Sequence, residues 1–109
     1  MEFSDIIFET TKWSSIEESR ASGEVGEVTS RIRDYGSVRV RMVEYSPGYV
    51  ADHWCRRGHV LLVLEGSLTT ELESGETVTL EAGESYQVGN DVMAHRSRTV
   101  GGARLFVVD

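Results

Sequence analysis

The chain has 109 residues, 39% of them hydrophobic, and a formal net charge of −7 from 18 acidic against 11 basic side chains. That length suits one domain with one core, and the negative charge repels phosphate backbones and anionic headgroups, so neither nucleic acid nor a membrane is an expected partner. No apolar run approaches the roughly 18 residues that cross a bilayer, the start MEFSDIIFETTKW has neither a basic n-region nor a small-residue cleavage site, and a cytoplasmic location is expected.

In chain order, the first stretch carries Ile6, Ile7, Phe8 and Trp13 and reads as an N-terminal arm. The following IEESRASGEVGE, residues 16–27, is polar and contains glycine, which suggests a loop or short helical turn. Residues 1–35 are therefore read as an arm and loop that lie on the barrel or on a partner subunit, and residues 36–109 as the barrel itself.

From about Val38 onward short apolar runs alternate with glycine-bearing turns and helical periodicity is almost absent. Strands are expected at Ser37–Tyr45, Val50–Cys55, His59–Leu64, Leu68–Glu73, Glu76–Glu81, Ser85–Val88, His95–Thr99 and Arg104–Val108. The connecting SPG, RRG, EG, SG, AG, GND and GG segments supply positive φ through glycine and a preset φ through proline. Strands at this spacing make an all-β jelly roll or barrel rather than an open sheet. In Leu68–Leu80 the alternation sends Leu68, Thr70, Leu72, Val78 and Leu80 inward. By contrast, residues 60–64 and 105–108 are apolar at consecutive positions, so both faces of these strands need cover, from the arm or from a second copy of the chain. A homodimer is expected.

The chemistry-bearing residues are few. The three histidines and the single cysteine fall as H-x-C-x3-H at His53, Cys55 and His59, followed by His95. In an extended strand His53 and Cys55 share a face about 7 Å apart along the backbone. The RRG turn allows His59 to return beside them, and His95 can close the set from another wall. Imidazole and thiolate suit one divalent transition metal, Zn, Fe, Ni, Cu or Co, rather than the all-oxygen cages of Mg or Ca.

That spacing resembles the first motif of the cupin superfamily, G-x5-H-x-H-x3,4-E-x6-G. Gly48 stands for the opening glycine one residue closer than usual, His53 for the first histidine, Cys55 for the second, His59 for the glutamate and Gly66 for the closing glycine. AGESYQVGNDVMAH, residues 82–95, is similar to the second motif, with His95 at the metal histidine's place. Asn90 and Val92 replace its usual proline and glycine, and Thr99 stands where an asparagine is common. More narrowly, VEYSPGYVADHWC with RRGH, SYQV, HRS and Trp13 looks like the small single-domain cupins with a DHCW-type motif. The resemblance implies a single-domain cupin jelly-roll β-barrel and a metal-site geometry, and leaves the reaction open because members of that group are mostly of unknown function.

Within that frame no catalytic residue is named by the sequence. Tyr86 shares parity with Val88 and is expected in the pocket wall. Arg39, Arg41 and Tyr45 oppose Val38, Val40 and Met42. A solvated outer face is the simpler expectation for the arginines, and an inward one would let them grip a carboxylate bidentately. Asp52 and Trp54 are expected on the face away from His53. Two functions follow from the metal set. One is a metal-dependent enzyme of oxygenase, isomerase or lyase type acting on a small polar or carboxylate-bearing metabolite. The other is a non-catalytic binding or redox-sensing module with a closed His3Cys site.

Overall fold

The computed structural model describes residues 3–109. A single 3-10 turn, Trp13–Ser15, precedes eight strands: β1 Ser19–Ser22, β2 Glu27–Tyr35, β3 Val38–Tyr45, β4 His59–Leu72, β5 Thr77–Glu81, β6 Ser85–Val88, β7 His95–Arg98 and β8 Ala103–Val108. All pairings are antiparallel, in the order β1-β2-β3-β8-β4-β5, with β6 and β7 also paired to β4.

One strand serves both walls of the barrel. The first half of β4 pairs with β8 and β6, and its second half with β5 and β7. The EG expected to separate two strands lies inside this one. A register shift falls between Val63 and Glu65, and the bend needs Gly66, whose φ is +78° and whose absent Cβ would stand 2.1 Å from the Gly102 carbonyl oxygen. A bulge with glycine beside it turns a strand without ending it.

The lumen follows from register. Val43 on β3 faces Leu105 on β8, which faces Val63 on β4, and all three are buried with Leu61, Leu68 and Leu80 in one core. In the 68–80 hairpin Leu68 lies opposite Leu80 and Thr70 opposite Val78, which puts these residues of the expected inward set on one face.

The N-terminal third differs from its reading as arm and loop. Residues 19–22 and 27–35 form β1 and β2, and β2 pairs along its length with β3. Val28, Ser30 and Ile32 take the face shared with Tyr45, Val43 and Arg41, while Arg31 and Arg33 point outward. Their charge, which makes the segment look like a surface loop, is met by the preceding chain. Arg31 donates to the carbonyls of Trp13, Ser14 and Ile16 and pairs with Glu18 at 2.7 Å, and Arg33 lies 3.4 Å from Glu9. The Trp13 ring so held meets Phe106 edge-on at 6.4 Å. Trp13 thus covers part of the outer face of β8, whereas Ile7 and Phe8 stay exposed, as do Val60 and Leu64 on β4.

The expected strand at residues 50–55 is replaced by a bent segment that touches its neighbours at separate points. Val50 pairs with Val25 and Arg98, and Cys55 pairs with His95. Between these contacts the chain bends at Asp52 and His53. Two-residue alternation holds only along a continuous strand, so the inference that His53 and Cys55 share a face fails here.

Candidate metal centre

Three side chains converge inside the barrel. Cys55 is tied to His95 by two backbone hydrogen bonds, Cys55 N–H to the His95 carbonyl at 2.7 Å and the reverse at 3.0 Å. His95 opens β7, and His59 opens β4. Both histidines are buried, and one donor atom from each of Cys55, His59 and His95 lies within 4.8 Å of the others. The two imidazoles meet edge to face, with centroids 4.9 Å apart.

Each ring has one nitrogen engaged and one without a partner. The His95 Nδ1–H donates to the Met93 carbonyl at 2.8 Å, which leaves the lone pair on Nε2, buried without any hydrogen bond. His59 Nε2 lies 2.9 Å from the Tyr86 hydroxyl, and its Nδ1 is the buried, unpartnered atom. Burial, then the neighbouring His95, pushes the His59 pKa down to about 4 against the pull of Asp109. At neutral pH the ring is uncharged and has a lone pair to offer, the form a metal binds. A buried polar atom left unsatisfied costs about 1–3 kcal/mol. Two such nitrogens beside a thiol, each on a ring oriented through its other nitrogen, fit the donor set and surrounding hydrogen bonds of a transition-metal site.

His53 stands apart. Its side chain is 77% exposed, and its Nδ1 lies 2.7 Å from Asp52 Oδ1. The cluster that can hold a metal comprises Cys55, His59 and His95 without it. Trp54 lies outside as well, under the Arg96 guanidinium, which is 4.4 Å from its ring centre and 3.0 Å from Glu71.

The pocket residues divide. Tyr86 is at the centre, its ring 5.5 Å from His59 and 5.8 Å from His95, and burial raises its hydroxyl pKa. Tyr45 packs on the core and stacks on Tyr49 at 4.3 Å; burial pushes its pKa up to about 12. Arg41 shares the lumen face with Val43 and Tyr45, which corrects the expectation of a solvated outer face. Its Nη2 meets Asp109 Oδ2 at 3.0 Å. Arg39 reaches the rim instead and pairs with Asp34 at 2.8 Å. Asp109 was not anticipated. Its carboxylate, 2% exposed, gathers Arg41 and, at 3.6 Å, Arg57. The signal was available in β8, because Asp109 continues the inward parity of Leu105 and Val107.

Two spaces flank the cluster. A cleft of about 470 Å3 on the His59 side is lined in part by Arg57, His59, Asn90 and Asp109. Next to it, sharing Gln87 and Val88 with that cleft, a cavity of about 260 Å3 touches His95 and Tyr86 and is otherwise walled mainly by Leu72, Val78, Val88 and Met93.

Set beside solved structures, the barrel aligns with an RmlC-like cupin from Shewanella frigidimarina at a TM-score of 0.72 and 19% identity, over 94% of this chain and 89% of that one. The chain has the cupin fold. The chain also matches a predicted oxalate decarboxylase from Thermotoga maritima, with a TM-score of 0.76 and 16% identity over 92% of this chain and 96% of that one. A third match is the polyketide cyclase RemF from Streptomyces resistomycificus, with a TM-score of 0.75 and 21% identity over 94% and 78% of the two chains. By sequence, no family model and no curated protein matches the chain. Among the described residues no helix is long and apolar enough to cross a membrane.

Proposed function

We propose that this cupin is a metal-dependent enzyme acting on a small molecule within its barrel, with Cys55, His59 and His95 as the protein ligands of one divalent transition metal. The observation that carries the reading is the pair of buried, unpartnered imidazole nitrogens converging with Cys55 within 4.8 Å. Three protein ligands are the number that catalytic sites use, because a further coordination position stays free for water or substrate, whereas structural sites are closed by four. The solvent-facing His53, held by Asp52, favours the three-ligand enzyme over the closed His3Cys module. A thiolate in the set favours Zn, Cu, or low-potential Fe and Ni over Mn. Bound there, such an ion would supply Lewis-acid polarisation of a substrate oxygen, or redox chemistry if it is iron or copper.

The chain's own residues orient and exclude. The Met93 carbonyl and the Tyr86 hydroxyl fix the two imidazoles, and the backbone pairing of Cys55 with His95 sets the thiol beside them. Tyr86, kept protonated by burial, presents a hydroxyl at the site that can donate to a developing negative charge. Arg41, anchored by Asp109, adds positive charge near His59. Two of the structural neighbours are described as a predicted oxalate decarboxylase and a polyketide cyclase, which agrees with chemistry of lyase or isomerase type. Exposed Ile7, Phe8, Val60 and Leu64 support a homodimer through the outer face of the barrel.

Elemental analysis of protein purified without a polyhistidine tag tests the proposal. About one equivalent of a transition metal per chain is expected, with occupancy lost in His59→Ala and His95→Ala and kept in His53→Ala. Absence of stoichiometric metal from correctly folded protein overturns it.

A further inference from the structure

The walls of the cavity beside His95 differ from the rest of the site in a way that bears on what binds there. Its lining contains no Asp, Glu, Lys or Arg; apart from Leu72, Val78, Val88 and Met93 it offers Thr70, Gln87, Tyr86 and His95. Arg57 and Asp109 line instead the neighbouring cleft at His59, which shares Gln87 and Val88 with this cavity, and Arg41 meets Asp109 there. The Thr70 hydroxyl is already paired with Ser97 at 2.8 Å, Gln87 is exposed to solvent, and Tyr86, whose hydroxyl lies on His59, and His95 are the polar groups that the cavity shares with the cluster. A cavity of about 150 Å3 with apolar walls is large enough to hold benzene. One of about 260 Å3 accommodates a ring or branched chain with its substituent.

We infer that the ligand of this site is a ring-sized molecule with an apolar body and a single polar head. The body lies against Leu72, Val78, Val88 and Met93, and the head points to Tyr86 and His95. A sugar, a phosphate or a dicarboxylate body would give up its hydration to walls that return almost no hydrogen bonds, a cost the apolar body does not incur. The inference rests on the proposed reading of the cluster, since it takes the metal end of the cavity as the place of the head group. It narrows the substrate class from polar metabolites to apolar-bodied ones.

Benzoate and acetate are suitable probes because they share a carboxylate head and differ in the body. Titration calorimetry on the folded protein, both metal-loaded and chelator-treated, should show benzoate binding at least tenfold more tightly than acetate, the scale that burial of tens of Å2 of apolar surface brings. Oxalate should bind no better than acetate. Val78→Thr and Met93→Gln, at positions that are only partly buried and so tolerant of change, should each reduce the benzoate preference severalfold with the melting curve intact. Equal affinity for benzoate and acetate, or a preference that both variants leave unchanged, overturns the inference. The outcome is separate from that of the metal analysis: loss of the preference in a protein that carries one metal per chain refutes the substrate class alone, whereas the preference in a protein that elemental analysis finds without metal as purified upholds the substrate class while that analysis refutes the metal reading.

Discussion

Acidifying the metal-free protein should destabilise it across a window set by His59. In the fold its pKa is held at about 4, chiefly by burial and then by His95, whereas the unfolded chain titrates near 6.5. Above pH 6.5 the ring is neutral in both states and contributes no pH dependence. Between 6.5 and about 4 the unfolded chain takes up a proton that the fold refuses, so stability falls as pH falls. Below about 4 both states are protonated and the loss is complete, at about 3 kcal/mol from this group. For a domain of this size that corresponds to a drop in Tm on the order of 10 °C. The carboxylates of Asp34 and Asp52, held below their usual 3.8 by hydrogen bonds to Arg39 and His53, release their stabilisation at still lower pH and do not confuse the window. Thermal melts of chelator-treated protein from pH 7 to pH 4 provide the assay, with His59→Gln as the comparison. A Tm that stays flat over that range, or a slope that His59→Gln leaves unchanged, would refute the assignment of a neutral, buried imidazole.

Other substitutions probe the frame around the site. Gly66→Ala places a methyl group 2.1 Å from the Gly102 carbonyl oxygen at a φ of +78° and should cost at least about 2 kcal/mol, read from chemical denaturation. Arg31→Ala removes the side chain that holds the carbonyls of Trp13, Ser14 and Ile16, so limited proteolysis should cut between residues 10 and 20 well before it cuts the barrel. Tyr86→Phe deletes the hydroxyl 2.9 Å from His59 Nε2 while keeping the ring. Metal affinity should weaken by about tenfold, as is usual when a group that orients a ligand is lost, and a competition titration with a chromogenic chelator measures it.

The barrel was legible in the sequence because it depends on local pattern, and so was the proximity of Cys55, His59 and His95, although His53 does not join them. Alternation in 68–80 marks a hairpin that the structure forms with Leu68 opposite Leu80, and Cys55, His59 and His95 lie together in the fold. The misplacement of His53 has a physical cause. Strand parity puts His53 beside Cys55, yet residues 50–55 pair only near their ends and bend between them, so parity carries no information there. β2 was hidden by Arg31 and Arg33, whose charges are compensated by residues far earlier in the chain, Glu18 and Glu9. The continuity of β4 through Glu65 and Gly66 was hidden for a related reason. A glycine at positive φ serves a turn and a bulge equally well, and only the pairing of Gly66 with Ala103 distinguishes them. The inward face of Arg41 likewise depends on the β8 partner strand and Asp109, which no local reading of β3 includes.

If Cys55, His59 and His95 bind one ion and leave it a free position, absorption spectroscopy of the cobalt-substituted protein will reveal both. A thiolate-to-cobalt charge-transfer band is expected that vanishes in Cys55→Ser and survives in His53→Ala, together with ligand-field bands that shift when azide is added. A spectrum without the thiolate band, or one that azide leaves unchanged and that His53→Ala abolishes, would contradict that binding mode.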